Sequence, residues 1–117
     1  EFASKTAEVF KPHLHKKSAV LDIGCGDAAS ISAVLANANI ASYTGYDLSH
    51  AALQLANAKL SKHSFAFELK EGNMFHLMQQ EQNNYNIIYS SFAIHHLQDD
   101  EKKLMLELCF RHLANMV

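Results

Sequence analysis

Proline occurs once in the 117 residues, glycine four times and tryptophan not at all, and no stretch is rich in proline, glycine or serine. Neither a linker, an internal repeat nor a low-complexity tract is present, so residues 1–117 read as a single domain. No apolar run approaches the roughly 18 residues that cross a bilayer, so no membrane span or membrane partner is expected. Cysteine is scarce too: Cys25 and Cys109 stand 84 positions apart, outside any C-x-x-C. No secretory h-region opens the sequence, and the expectation is a reducing compartment and a cytoplasmic protein. Charge of one sign is also lacking, with 10 Lys and Arg against 12 Asp and Glu and a net charge of −2. The lysine pairs Lys16-Lys17 and Lys102-Lys103 are isolated, and this segment has no footprint for nucleic acid. What remains is 49% apolar and 19% charged, the composition of a soluble globular domain.

Short β-rich runs alternate with longer helical ones. Phe2 to Phe10 reads as a helix after a Ser4 or Thr6 cap, stopped by Lys11-Pro12, and a polar stretch follows from His13 to Ser18. Ala19 to Ile23 is a short apolar strand that runs into Gly24-Cys25-Gly26, and Ala28 to Asn37 carries Ile31, Val34 and Leu35 at helical spacing. A second unit has a strand from Ser42 to Tyr46, then Asp47, then a helix capped by Ser49 that presents Leu53, Ala56 and Leu60 on one face. A third strand, Ser64 to Leu69, leads to Glu71-Gly72-Asn73-Met74 and a helical stretch to Gln80. The fourth strand runs from Tyr85 to Ser90, and Asp99-Asp100 are expected to cap a last helix.

Strands alternating with helices predict an α/β fold, a doubly wound parallel sheet with helices on both faces. Ligands of such sheets bind beyond the carboxyl ends of the strands. Those ends hold Asp22 to Asp27, Asp47, Asn73-Met74 and Ser90 to His96, most of the chemically unusual residues of the chain. Glycines between a strand and a helix let a ligand approach bare backbone at a helix N-terminus. Extended to Ala29, the loop satisfies the dinucleotide fingerprint G-x-G-x-x-A, and Asp47 falls 21 residues after Gly26, where a ribose-binding carboxylate belongs. At this point NAD and another adenosine cofactor both remain open.

The wider pattern separates them. Val20-Leu21-Asp22-Ile23-Gly24-Cys25-Gly26-Asp27-Ala28, Tyr43-Thr44-Gly45-Tyr46-Asp47-Leu48-Ser49, Glu71-Gly72-Asn73-Met74 and Tyr85 to Ser90 with Ile94-His95-His96-Leu97 together closely resemble the class I S-adenosylmethionine-dependent methyltransferases, of small-molecule type-12-like character. The resemblance runs from about Ser18 to the last helix and implies a Rossmann-like fold with S-adenosyl-L-methionine as cofactor and S-adenosyl-L-homocysteine as product. It implies that the backbone around Gly24, Cys25 and Gly26, with Asp22, holds the methionine end, that Asp47 anchors the ribose, and that Leu48 packs on the adenine. Asn73 and Met74 match the positions that read the adenine edge, and Ser90 and Ser91 match the segment beneath the sulfonium. Acids flanking the loop at Asp22 and Asp27 suit a cationic sulfonium better than a pyrophosphate. Two departures stand out: Ala28 replaces a third glycine, and the chain stops where a fifth strand should begin, which implies a domain incomplete at its C-terminus.

Methyl transfer is direct displacement at an activated carbon, so alignment supplies most of the catalysis. An oxygen acceptor would still gain from a general base, and His95 and His96 are the catalytic candidates, against the blander reading of one rim residue and one solvated one. No metal is expected, since His13, His15, His95 and His96 lack a third ligand at a metal spacing and neither cysteine lies in a zinc motif. Cys25 reads as a small filler between glycines. The near-neutral charge favours a small-molecule acceptor. The fourth strand and an almost wholly apolar last helix form an exposed edge that predicts a homodimer or strand exchange between copies. The rivals are a non-catalytic cofactor-binding or assembly module on the same fold and an NAD-dependent oxidoreductase.

Overall fold

The structure, a computed structural model, describes residues 18–35, 40–90 and 97–113. Four strands form one parallel sheet: β1 (Ala19–Ile23) lies between β2 (Ser42–Asp47) and β4 (Ile87–Ser90), and β3 (Ala66–Glu71) lies outside β2, giving the order β3-β2-β1-β4. The helices between and after them are α1 (Ala29–Leu35), α2 (His50–Leu60), α3 (Met74–Gln80) and α4 (Asp99–Arg111). Among the described residues no helix is long and apolar enough to cross a membrane. The opening helix expected over Phe2 to Phe10 lies outside the described residues.

Successive strand residues point to opposite faces, and among the described residues two helices pack on each face. Val20, Tyr43, Phe67 and Ile87 pack with Ile31, Val34 and Leu35 of α1 and Ala56 and Leu60 of α2. Leu21, Ile23, Tyr46 and Ile88 pack on the other side with Met78 of α3 and Met105 and Leu108 of α4. This is the doubly wound arrangement the sequence predicts. The chain builds outward from β1 through β2 to β3 and then returns to the far side of β1, so the crevice at the switch point opens at the carboxyl ends of β1 and β4.

Several boundaries differ from the sequence reading, each for a local reason. The third strand begins at Ala66 and not Ser64, because the buried Phe65 stacks on the His63 ring at 5.0 Å in the turn before it. The fourth begins at Ile87 and not Tyr85. Asn86 pairs with Ala19 through its side chain, Ala19 N–H donating to Oδ1 at 2.8 Å, and Tyr85 forms a parallel bridge with Leu113. The first helix starts at Ala29 because Ala28 has φ of +62°, and the Asp27 carboxylate accepts the Ala29 N–H at 3.0 Å. Asp99 and Asp100 do not cap the last helix: Gln98 is the N-cap in a capping box with Glu101, while the two aspartates occupy the first turn, where the positive helix end favours them. The Ser49 cap stands as expected, its hydroxyl accepting the Ala52 N–H at 3.1 Å, with Leu53, Ala56 and Leu60 as the buried face of α2.

Among the described residues every buried side-chain nitrogen or oxygen has a partner. The densest network surrounds Glu81, after α3. Its Oε1 accepts from the Tyr46 and Tyr85 hydroxyls and lies 3.5 Å from Lys70 Nζ, while Oε2 accepts the N–H groups of Gln82 and Asn83 at 3.1 Å. Burial pushes this carboxyl upward, but the bonds from Tyr46, the Asn83 N–H and Tyr85 together hold it at about 2. A folded value below that of the unfolded chain gives stability that is complete above about pH 4.5 and lost as pH falls toward about 2, on the order of 3 kcal/mol. Thermal unfolding across that range is expected to show a steep acid loss in the wild type and a shallower one in Glu81→Gln; equal slopes would contradict the assignment.

Candidate cofactor site

The turn after β1 repeats a left-handed backbone at every second residue, with φ of +72° at Gly24, +57° at Gly26 and +62° at Ala28. Glycine adopts this without penalty, whereas an alanine there costs about 1–2 kcal/mol. Ala28 is kept in place by burial against α1 and by its N–H, which donates to the Cys25 carbonyl at 3.0 Å.

Asp47 fixes this turn to the rest of the sheet. The Gly26 N–H donates to Asp47 Oδ2 at 2.8 Å, and the Ser49 N–H donates to Oδ1 at 2.9 Å. Alongside, Cys25 N–H donates to the Tyr46 carbonyl at 2.8 Å, and Gly72 N–H to the Asp47 carbonyl at 2.9 Å. One residue thereby joins the carboxyl ends of β1, β2 and β3. Beneath the turn, Cys25 is buried against Gly45, where an added Cβ would come within 2.8 Å of its Sγ and 3.0 Å of Leu69 Cδ2. Only glycine lets the loop sit this low on β2. Burial, then the carboxylates of Asp22 and Asp47, push the Cys25 thiol up to about 12, so it stays protonated at neutral pH.

The acids that flank the loop have partners of their own. Asp22 is fully buried, and its Oδ2 accepts the Tyr43 hydroxyl at 2.7 Å; burial and then this carboxylate push the Tyr43 phenol far up. Asp27 pairs with Lys59 Nζ at 2.8 Å, and that bond, with the Ala29 N–H, holds its carboxyl below the usual range.

A cavity of about 330 Å³ opens beside the turn, lined by Gly24, Tyr46, Asp47 and Leu48, by Gly72, Asn73, Met74 and Phe75, and by Leu97 and Glu101. Its size lies within the roughly 300–1,000 Å³ of small-molecule sites. Leu48 is 70% exposed, an apolar side chain standing at the cavity rim. A Cβ built on Gly26 would meet no atom of the described residues within 4 Å, so among them open space lies above the loop. Asn73 is the N-cap of α3, its Oδ1 accepting the N–H groups of Phe75 and His76 at 2.9 and 3.2 Å. Met74 begins that helix, where N–H groups lack an intrahelical acceptor.

Of the residues singled out from the sequence, the fold gathers Gly24, Asp47, Leu48, Asn73 and Met74 around one cavity and joins Gly26 to it through Asp47. Asp22 and Cys25 lie beneath the loop. Ser90 donates its hydroxyl to the Ile23 carbonyl at 3.1 Å and lines a separate apolar groove. Ser91, His95 and His96 lie outside the described residues. Sequence reasoning missed Tyr46, Phe75, Leu97 and Glu101 as lining residues; Glu101 reads as a first-turn acid of α4, and only the packing of that helix turns it toward the cavity. Among the described residues no group of three His, Cys, Asp or Glu is arranged to hold a metal ion.

The model of a family described as methyltransferase domain matches residues 20–116. No curated protein sequence gives a significant match. Among solved structures, the chain is similar to an S-adenosylmethionine-dependent methyltransferase from Clostridium acetobutylicum, with a TM-score of 0.74 at 17% identity over 97% of this chain and 45% of the other. It is similar also to one from Thiobacillus denitrificans in complex with S-adenosyl-L-homocysteine, with a TM-score of 0.71 at 15% identity over 96% of this chain and 43% of the other. The methyltransferase domain of bacterial CtHen1 gives a TM-score of 0.71 at 21% identity over 95% and 58%. The chain thus spans roughly half the length of the structures it matches.

Proposed function

As the chain belongs to the methyltransferase domain family, we propose that it binds S-adenosyl-L-methionine in the cavity beside the glycine turn and serves methyl transfer to a small-molecule acceptor. The observation that carries this reading is the Asp47 clamp: a carboxylate at the end of β2 tied to the glycine turn and bordering a cavity at the carboxyl ends of the strands. When bound, the cofactor supplies a methyl carbon already activated by its sulfonium.

The chain's own residues bind and orient. Each Asp47 oxygen accepts one backbone N–H and has a further lone pair for a ribose hydroxyl. The backbone of Gly24 and Gly26 would hold the methionine end, with Asp22 and Cys25 bracing the turn from below. Leu48 would cover the adenine, the Asn73 amide and the Met74 N–H would face its edge, and Ser90 and Ser91 would follow β4 beneath the sulfonium. His95 or His96 would be the base for an oxygen acceptor. Among the described residues the cavity is lined by two acids, Asp47 and Glu101, and by no Lys or Arg, which suits a cationic sulfonium and disfavours the pyrophosphate of NAD. The two cysteines are free thiols, as suits the reducing cytoplasm.

A second copy of the chain is the proposed partner. Among the described residues β4 pairs in the sheet with β1 alone, and beside it a groove of about 380 Å³ is lined by Ile88, Tyr89, Met105, Leu106, Phe110 and Leu113 among others. Leu106 and Phe110 are more than half exposed. Light scattering is expected to show a concentration-dependent dimer that Leu106→Glu abolishes; a monomer at high concentration contradicts it.

Asp47→Ala is expected to weaken S-adenosyl-L-homocysteine binding by about 1.5 to 3 kcal/mol, roughly 10- to 150-fold, measured well below the unfolding temperature of both proteins. Unchanged affinity in the folded variant would remove Asp47 from the ribose site.

A further inference from the structure

His112 is the C-cap of α4, is buried, and has a backbone carbonyl opposite each ring nitrogen: Nδ1 lies 3.1 Å from the oxygen of Asn83 and Nε2 lies 3.1 Å from that of Met78. A carbonyl oxygen can only accept. A neutral imidazole has one N–H, so it satisfies one carbonyl and turns a lone pair toward the other; only the imidazolium donates to both. The backbone of the same residue is engaged as well, its N–H donating to the Cys109 carbonyl at 3.1 Å and its carbonyl accepting the Tyr85 N–H at 2.7 Å. His112 thus joins the end of α4, the last turn of α3 and the connection into β4.

We propose that His112 is a protonation-dependent latch on α4. With both protons present, the ring holds α3 and the connection through two donated bonds. When one proton leaves, one of those bonds is replaced by two acceptors facing each other. The titratable groups on the elements packed against it are Glu81 and Tyr85 in the connection, His76 on α3, and Glu107, Cys109 and Arg111 on α4. Tyr85 and Cys109 are neutral, pushed up chiefly by burial, and His76, Glu107 and Arg111 are exposed. Glu81 is the buried anion of the set. Its carboxylate accepts the N–H of Asn83, the residue whose carbonyl faces the ring. The second bond exists only in the folded chain and only with the protonated ring. Its stabilisation therefore comes with the doubly protonated ring and goes when one proton leaves. The other end of α4 carries Glu101 at the cavity wall, so the latch sets how firmly that wall is held. None of this depends on which ligand the cavity takes.

The test is thermal unfolding of the full chain from about pH 5 to about pH 8, where imidazole titrates and Glu81 does not, against His112→Gln, which keeps a donor for one carbonyl throughout. The wild-type Tm is expected to fall relative to the variant by about 4 °C or more as pH rises; parallel profiles would overturn the latch. Should the variant not fold, the ring nitrogens of His112 in the wild type give the answer by nitrogen-15 NMR. Two protonated, slowly exchanging nitrogens at the acid end and one at the alkaline end are expected, and a single protonated nitrogen throughout overturns the proposal.

Discussion

The bond from the Gly26 N–H to the Asp47 carboxylate is the constraint around which the carboxyl end of the sheet is built. It joins the turn after β1 to the end of β2, and the same residue reaches β3 through its carbonyl and the start of α2 through Ser49. For the turn to come within reach, its backbone must be left-handed at alternate residues, and Cys25 must pack where a side chain on Gly45 would stand. Gly24, Gly26, Gly45 and Asp47 are thus parts of one geometric requirement. The cavity follows from it, because a turn drawn down onto β2 leaves open space above Gly26 and beside Leu48.

Strand β2 supplies the second organising device, a tyrosine to each face of the sheet. Tyr43 reaches Asp22 on the α1–α2 side, and Tyr46 reaches Glu81 on the α3–α4 side. A buried carboxylate is costly to bury unless hydrogen-bonded, and both are, Glu81 by a second tyrosine and two backbone N–H groups as well. The acids at the cavity, Asp47 and Glu101, accept from backbone N–H groups, and no cationic side chain is among the described residues that line it.

Much of this was legible in the sequence because it is local. The apolar run of β1, the glycines after it, the Ser49 cap and the Leu53, Ala56 and Leu60 face each depend on neighbours within a few positions, and each stands as read. The boundaries that moved did so through distant partners. Asn86 leaves the fourth strand to meet Ala19 from 67 positions away, and Glu101 does more than start a helix because α4 packs beside the glycine turn. Asp47 was legible from its spacing after Gly26, and Asn73 and Met74 from their place after the third strand and from the family resemblance. The second duty of Asn73 as a helix cap, the lodging of Cys25 against Gly45 and the setting of His112 between two carbonyls were not, because each depends on three-dimensional packing.

The central claim is that the Asp47 clamp and its cavity form a site for an adenosine cofactor that has a cationic centre and no phosphate. Calorimetric titration of the wild-type chain with S-adenosyl-L-homocysteine, and of the same preparation with NAD, tests it most directly. The account predicts saturable binding of the first at one site per chain and none of the second. Saturable binding of NAD alone, by a chain shown to be folded, would contradict it.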